Sequence, residues 1–228
     1  MLYLSGVVRP DLPAMVTPRM GQRPPVGQVW AADNGRYGAP QNYTDEKFLA
    51  WLAKMPAESC LFATAPDVVG DAAATLALSV PMFAPIRTAG YRVAFVAQDG
   101  LEDMAVPWDD FDALFIGGTT DWKLGEACRV IVAEAKRRGM WVHMGRVNSL
   151  RRMRYAESIG CDSADGTVLK HDVSRPVHEW GPRVANEPSL WRAALEEPTR
   201  GPQYTEDDPD WSAMVSPISD TDGGHDDR

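Results

Sequence analysis

Short apolar runs separated by longer amphipathic or polar stretches recur along most of this chain. Leu2 to Val8, Gln28 to Ala32, Cys60 to Thr64, Tyr91 to Ala97, Asp112 to Ile116 and Met140 to Met144 read as buried strands. Helices are expected between them. Thr44 is placed to cap one, with Asp45 and Glu46 in its first turn, where the dipole favours acids. Asp71 to Ser79 is rich in Ala and Leu and is expected to stop before Pro81 and Pro85. Leu124, Cys128, Ile131 and Ala135 recur at helical spacing, which predicts one helix from Lys123 to Arg138. Asn148 is the expected cap of a helix to Ser158, with Leu150, Met153 and Ala156 inward. Arg9 to Gly27, rich in Pro and Gly and without a period, is expected to be loop. About seven such alternations predict parallel βα units, closed as a barrel or left as an open sheet.

Composition narrows the setting. No run of about 18 apolar residues is present, so no membrane span is expected. The N-terminal stretch lacks the basic region and apolar core of a signal peptide. Cys60, Cys128 and Cys161 are few and scattered, pointing to a reducing, cytoplasmic setting without a disulfide framework or a zinc site. The net charge is −9, but residues 186–228 hold 11 acids and 3 bases. The remaining 185 residues hold 21 acids and 20 bases. The expected division is a domain over 1–185 and an acidic, largely disordered tail over 186–228. Two basic clusters, Lys136-Arg137-Arg138 and Arg151-Arg152-Met153-Arg154, stand near Arg146 in the near-neutral body, as solvated helix faces or as phosphate contacts.

Polar groups gather where the strands end. Asp33, Asp67, Gln98, the Gly117-Gly118 pair, His143 to Arg146 and Asp165 each follow or close an apolar run. In a barrel these positions converge on one face. Carboxylates accept from ring N–H and amino groups, and Gln or glycine N–H groups donate to a carbonyl, a set suited to a purine-like heterocycle. Paired carboxylates also suit exchange at a glycosidic carbon. The stretch Gly160-Cys161-Asp162-Ser163-Ala164-Asp165-Gly166-Thr167 reads either as a polar loop at a strand end or as part of a site. No G-x-G-x-x-G follows the first strand and no G-x-x-x-x-G-K-[ST] is present, so neither a dinucleotide nor a P-loop site is expected.

Several segments carry a family resemblance: Asp33-Asn34-Gly35, Ala65-Pro66-Asp67, Val96-Ala97-Gln98-Asp99-Gly100, Phe115-Ile116-Gly117-Gly118, and the run from His143-Met144-Gly145 to Asp165. In this order, over residues 28–167, the chain resembles the tRNA-guanine transglycosylases, especially the shorter phage-type relatives that insert 7-deazaguanines into DNA. The resemblance implies a (β/α)8 TIM-type barrel, incomplete or irregular at this length. It also implies base exchange in nucleic acid without strand cleavage or cofactor, in a bacterial host cell for a phage enzyme. Asp165 would attack C1′ of the target nucleoside, with Asp162 in support, although both acids fit the attack. Asp33 would take the proton of the incoming base, a free 7-deazaguanine. Asp67, Gln98, Gly117, Gly118 and His143 would hold the base. Arg146, Arg151, Arg152 and Arg154 are the candidates for phosphate contact, from charge and placement. The family's zinc site of three Cys and one His is missing, and Gly166-Thr167-Val168 stands where its Pro-Thr-Arg would be. DNA is therefore expected over tRNA, and a dimer is a further expectation. The alternative is a non-catalytic barrel that binds nucleic acid or a 7-deazapurine as a partner subunit.

Overall fold

The computed structural model describes residues 1–9 and 12–167. Eight parallel strands close a barrel in chain order. They are β1 (Leu2–Ser5), β2 (Ala14–Val16), β3 (Trp30–Ala32), β4 (Cys60–Thr64), β5 (Val93–Ala97), β6 (Ala113–Ile116), β7 (Trp141–Met144) and β8 (Ser163–Gly166). The ring closes where β8 lies beside β1, with Leu2 opposite Ser163 and Ser5 opposite Gly166. Helix α1 (Asp45–Leu52) follows β3, and α2 (Ala72–Thr88) follows β4. Helices α3 (Thr120–Leu124) and α4 (Glu126–Arg137) follow β6, and α5 (Leu150–Ser158) follows β7. A loop follows β1, and single 3-10 turns follow β2 and β5, so the helical layer is irregular among the described residues.

Alternation along each strand divides the apolar side chains into two cores. Leu2, Leu4, Met15, Ala31, Phe62 and Trp141 pack inside the barrel. Trp30, Phe95, Leu114, Val142 and Ala164 face outward and meet Phe48, Phe83, Ile131 and Met153 of the helices. Each such large side chain contributes about 1.5–3 kcal/mol by leaving water. No helix among the described residues is long and apolar enough to cross a membrane.

Several elements depart from the sequence expectation. Strand β2 lies inside the stretch expected to be loop; it has only three residues, too few for a period to register. Helix α2 runs past Ser79 through Pro81 and Pro85. Thr75, Ser79, Met82 and Ile86 keep its inner face, while Pro81 is exposed, so the carbonyls that lose a donor there can turn to water. The expected helix from Lys123 to Arg138 is two helices, divided at the extended residue Gly125. Ser149, not Asn148, caps α5 and accepts from the Arg152 N–H at 3.2 Å. Asn148 Oδ1 instead accepts from the Thr167 N–H at 2.7 Å. The stretch 160–167 contains a strand rather than a loop. The acidic tail over 186–228, and the end of the expected domain after 167, lie outside the described residues.

Candidate functional site

The C-terminal ends of β3 to β8 surround a small, open-mouthed cleft of about 80 Å³. Asp33, Asp67, Gln98, Gly117, Arg146 and Asp165 of the expected set all line it. They come from six different strand ends, which only closure of the barrel brings together.

Asp67 follows β4 in a loop pinned from below by α2. Thr75 Oγ1 accepts from the Val68 N–H at 2.9 Å, and Ser79 Oγ donates to Pro66 O at 2.7 Å. Two amides then brace the carboxylate. Gln98 Nε2 donates to Asp67 Oδ2 at 2.8 Å, and Asn34 Nδ2 to Oδ1 at 3.2 Å. Asn34, which the sequence did not single out as a site residue, is buried and also bonds Thr64 Oγ1 and Ala65 O. Gln98 is fully buried, and its Oε1 accepts from the Gly70 N–H at 3.0 Å. Burial pushes the Asp67 carboxyl above its ordinary value, against the pull of Asn34, Arg36 and Arg146.

Asp33 opens the turn after β3. Its Oδ1 accepts from the Gly35 N–H at 2.8 Å, and Gly35 takes a φ of 74° that favours glycine. Burial pushes the Asp33 carboxyl up to about 7; the Gly35 bond opposes this, and the charges of Asp165 and Asp67 add to it. A carboxyl titrating near neutrality can both take and return a proton.

Asp165 reaches the cleft from β8. Its Oδ1 lies 3.0 Å from His143 Nε2. His143 does not line the cleft; it is fully buried inside the barrel between the rings of Phe62 and Phe115, at 5.3 and 4.6 Å. Its Nδ1 is 2.8 Å from Ser163 Oγ, which also accepts from Trp141 Nε1 at 2.8 Å. His143, expected at the cleft surface, thus lies beneath it, against the Asp165 carboxylate. Its inward register alongside Trp141 was visible in the strand; its partners on β8 were not.

The rim is made by the loops after β3, β6 and β7. Gly117 and Gly118 were expected to offer N–H groups to a carbonyl. Both instead donate to Ala97 O, at 3.0 and 3.2 Å. Their own carbonyls accept from the Arg146 guanidinium, at 2.9 Å for Gly117. Arg146 has a φ of 60°, and its guanidinium lies 5.4 Å from the ring of Tyr37, which is 65% exposed at the mouth. Gly145 leaves room beside Asp165, since a Cβ there would meet the Phe115 ring at 2.7 Å. Lys123, at the start of the expected helix, is buried behind this loop and donates to Gly145 O at 2.9 Å. Burial and the neighbouring Arg146 lower its ammonium to about 7.

Other expected residues fall elsewhere. Asp162 is buried at the opposite end of β8 and accepts from Lys136 Nζ at 2.8 Å and from the Val142 N–H at 2.7 Å. Burial raises its carboxyl while Lys136 lowers it, and it takes no part in the cleft. The first basic cluster is spent on structure as well: Lys136 holds Asp162, while Arg137 and Arg138 both bond Glu134. Arg151 and Arg152 lie in the first turn of α5, on the cleft side because that helix leaves the C-terminal end of β7. Arg154 is exposed further along it.

Comparison with protein-family models and with curated proteins finds no match to this chain. Chemistry must be read from the cleft. Among the described residues, no group of three or more His, Cys, Asp and Glu is arranged to hold a metal ion. The cleft has one amide-braced carboxylate, one carboxyl near neutrality, and one carboxylate held by a buried histidine. Such a set can bind a flat donor-rich ring, move a proton and attack an electrophilic carbon.

Proposed function

We propose that this protein exchanges guanine for a 7-deazaguanine in nucleic acid, through a covalent aspartyl-nucleoside intermediate on an irregular (β/α)8 frame. The reading rests on the convergence of Asp33, Asp67, Gln98 and Asp165 on one cleft, with Asp33 raised to about 7. Asp165 attacks C1′ of the target nucleoside as the C1′–N9 bond breaks. The electron pair leaves with guanine, whose N9 takes the proton from Asp33 in its acid form. The incoming base returns a proton from its N9 to the Asp33 carboxylate. Its N9 then attacks C1′ and releases the Asp165 carboxylate. Atoms and protons balance without a cofactor.

The remaining residues bind. Asp67, braced by Asn34 and Gln98, accepts from the ring N–H and amino group of the base. Gln98, fully buried, acts on the base through the Asp67 carboxylate it holds. Tyr37 offers an aromatic face at the mouth. Arg151 and Arg152 face the phosphates. DNA is the favoured substrate: Cys60, Cys128 and Cys161 are buried as free thiols in the barrel, away from any zinc site of the kind the tRNA enzymes carry.

Mass spectrometry of nucleosides from DNA and tRNA of cells expressing the chain tests this. A 7-deazaguanine nucleoside is expected in DNA, and Asp165→Ala and Asp165→Asn should abolish it. A fully active Asp165→Asn protein would sink the assignment. Binding of a base or oligonucleotide without a covalent adduct would support a non-catalytic barrel instead.

A further inference from the structure

The hydrogen bonds beneath Asp165 have a direction. An ionised carboxylate only accepts, so His143 Nε2 must carry hydrogen to bond Asp165 Oδ1. In a neutral imidazole Nδ1 then has a bare lone pair. Ser163 Oγ is the group in front of it, at 2.8 Å. An indole N–H only donates, so Trp141 Nε1 uses a lone pair of Ser163 Oγ and leaves the hydroxyl hydrogen for His143. The chain runs one way, from Trp141 through Ser163 and His143 to Asp165. An imidazolium would reverse the Ser163 contact and leave that hydroxyl hydrogen without an acceptor among the described contacts.

The geometry is fixed by backbone register as well. His143 and Ser163 are direct partners across β7 and β8. Trp141 precedes His143 by two residues and shares its face. Phe62 and Phe115 confine the ring. Half-satisfied polar chains in an apolar core are costly, and this one is satisfied at every atom only with a single tautomer. Among the described contacts Asp165 Oδ2 makes no hydrogen bond, and the side chain is 20% exposed.

We propose that His143, aligned by Ser163 and Trp141, is the positioning residue of Asp165: its Nε2–H holds Oδ1 and leaves Oδ2 as the attacking atom. This rests on the transglycosylase reading. As the Oδ2–C1′ bond forms and the C1′–N9 bond breaks, Oδ1 becomes the carbonyl oxygen of the ester and keeps its hydrogen bond. When the incoming N9 displaces the ester, the negative charge returns to a carboxylate already held in place. A fixed angle of attack matters because reacting atoms must meet in a near-attack geometry.

Two measurements on the full chain test the proposal. Nitrogen-15 NMR of histidine-labelled protein should show His143 neutral, protonated at Nε2 and bare at Nδ1. Ser163→Ala should perturb the Nδ1 signal. An Nδ1–H tautomer in the wild type would overturn the proposal, whatever the protein's activity. Covalent capture of a guanine-containing oligonucleotide should slow at least 10-fold in Ser163→Ala and 100-fold in His143→Phe, with oligonucleotide affinity unchanged. His143→Gln, which can present an amide hydrogen, should recover part of the rate. Adduct formation by His143→Phe at the wild-type rate would also overturn it. Absence of any adduct in the wild type would overturn the transglycosylase reading and the attack by Oδ2, while the tautomer would still decide whether His143 positions Asp165.

Discussion

Asp162 and Asp165 stand three residues apart and face opposite ways across β8. An odd separation along a strand has that result. Asp165 faces the cleft, and Asp162 faces Lys136 of α4. Their substitutions should therefore separate stability from activity. Asp162→Asn leaves a buried ammonium without its charge partner and should cost about 3–5 kcal/mol in urea unfolding. Replacing both partners, Asp162→Leu with Lys136→Met, should recover most of that. Asp165→Asn should change stability by less than about 1 kcal/mol while abolishing adduct formation. A stable Asp162→Asn protein would contradict the role given to the buried pair.

Asp33 makes the fold sensitive to pH in a defined direction. Its carboxyl is raised in the folded chain to about 7, so the folded state binds its proton more tightly than the unfolded chain does. That contribution is fully present below the unfolded carboxylate value, near pH 4, and is lost as pH rises through 7. Asp33→Asn cannot ionise and keeps an oxygen for the Gly35 N–H. It should match the wild type at pH 4 and exceed its stability at pH 8 by about 2–4 kcal/mol. Melting curves at the two pH values check this. Equal differences at both would remove the electrostatic account.

Gly145 should be intolerant of even a methyl group. A Cβ there would lie 2.7 and 2.8 Å from two atoms of the Phe115 ring. The ring is backed by His143 at 4.6 Å, so it must turn toward the cleft it already lines. Gly145→Ala is expected to cost about 1–3 kcal/mol in stability. It should also weaken binding of a free 7-deazaguanine at least about 10-fold, or about 1.4 kcal/mol, by calorimetry. Unchanged affinity would show that the ring moves elsewhere.

The two prolines inside α2 invite the opposite experiment. Pro81 lies on its outer face and removes a backbone donor there. Pro81→Ala should restore one helical hydrogen bond and raise stability by about 1–2 kcal/mol, the gain reduced by the freer unfolded chain. A loss of stability in thermal melts would mean that the proline ring itself packs.

The strand ends were readable because short apolar runs between turn residues are a local signal. That pattern placed Asp33, Asp67 and Gln98 at strand ends, but their convergence with Asp165 depends on closure of the barrel, which the pattern left open against an open sheet. Strand β2 was not readable, since three residues carry no period. Extension of α2 through its prolines depended on which face they occupy, a tertiary fact. The opposite facing of Asp162 and Asp165 was within reach, and required only that 163–166 be assigned as strand. The bracing role of Asn34 was not readable, because its bonds reach 30 residues or more along the chain, to Thr64, Ala65 and Asp67. The raised carboxyl of Asp33 depends on burial and on two acids from distant strands, none of which a linear pattern carries.

The seam between β1 and β8 ties assembly of the cleft to completion of the fold. Leu2 to Ser5 find their second neighbour only when Ser163 to Gly166 arrive, so the contact that seals the ring spans nearly the whole described length. Contacts of such separation form slowly. Until then β1 and β7 each present an open edge that other chains can pair with. During synthesis the strand that bears Asp165 leaves the ribosome after the seven others. A nascent or truncated chain therefore has neither a sealed barrel nor its carboxylate in place, and both arrive in the same step.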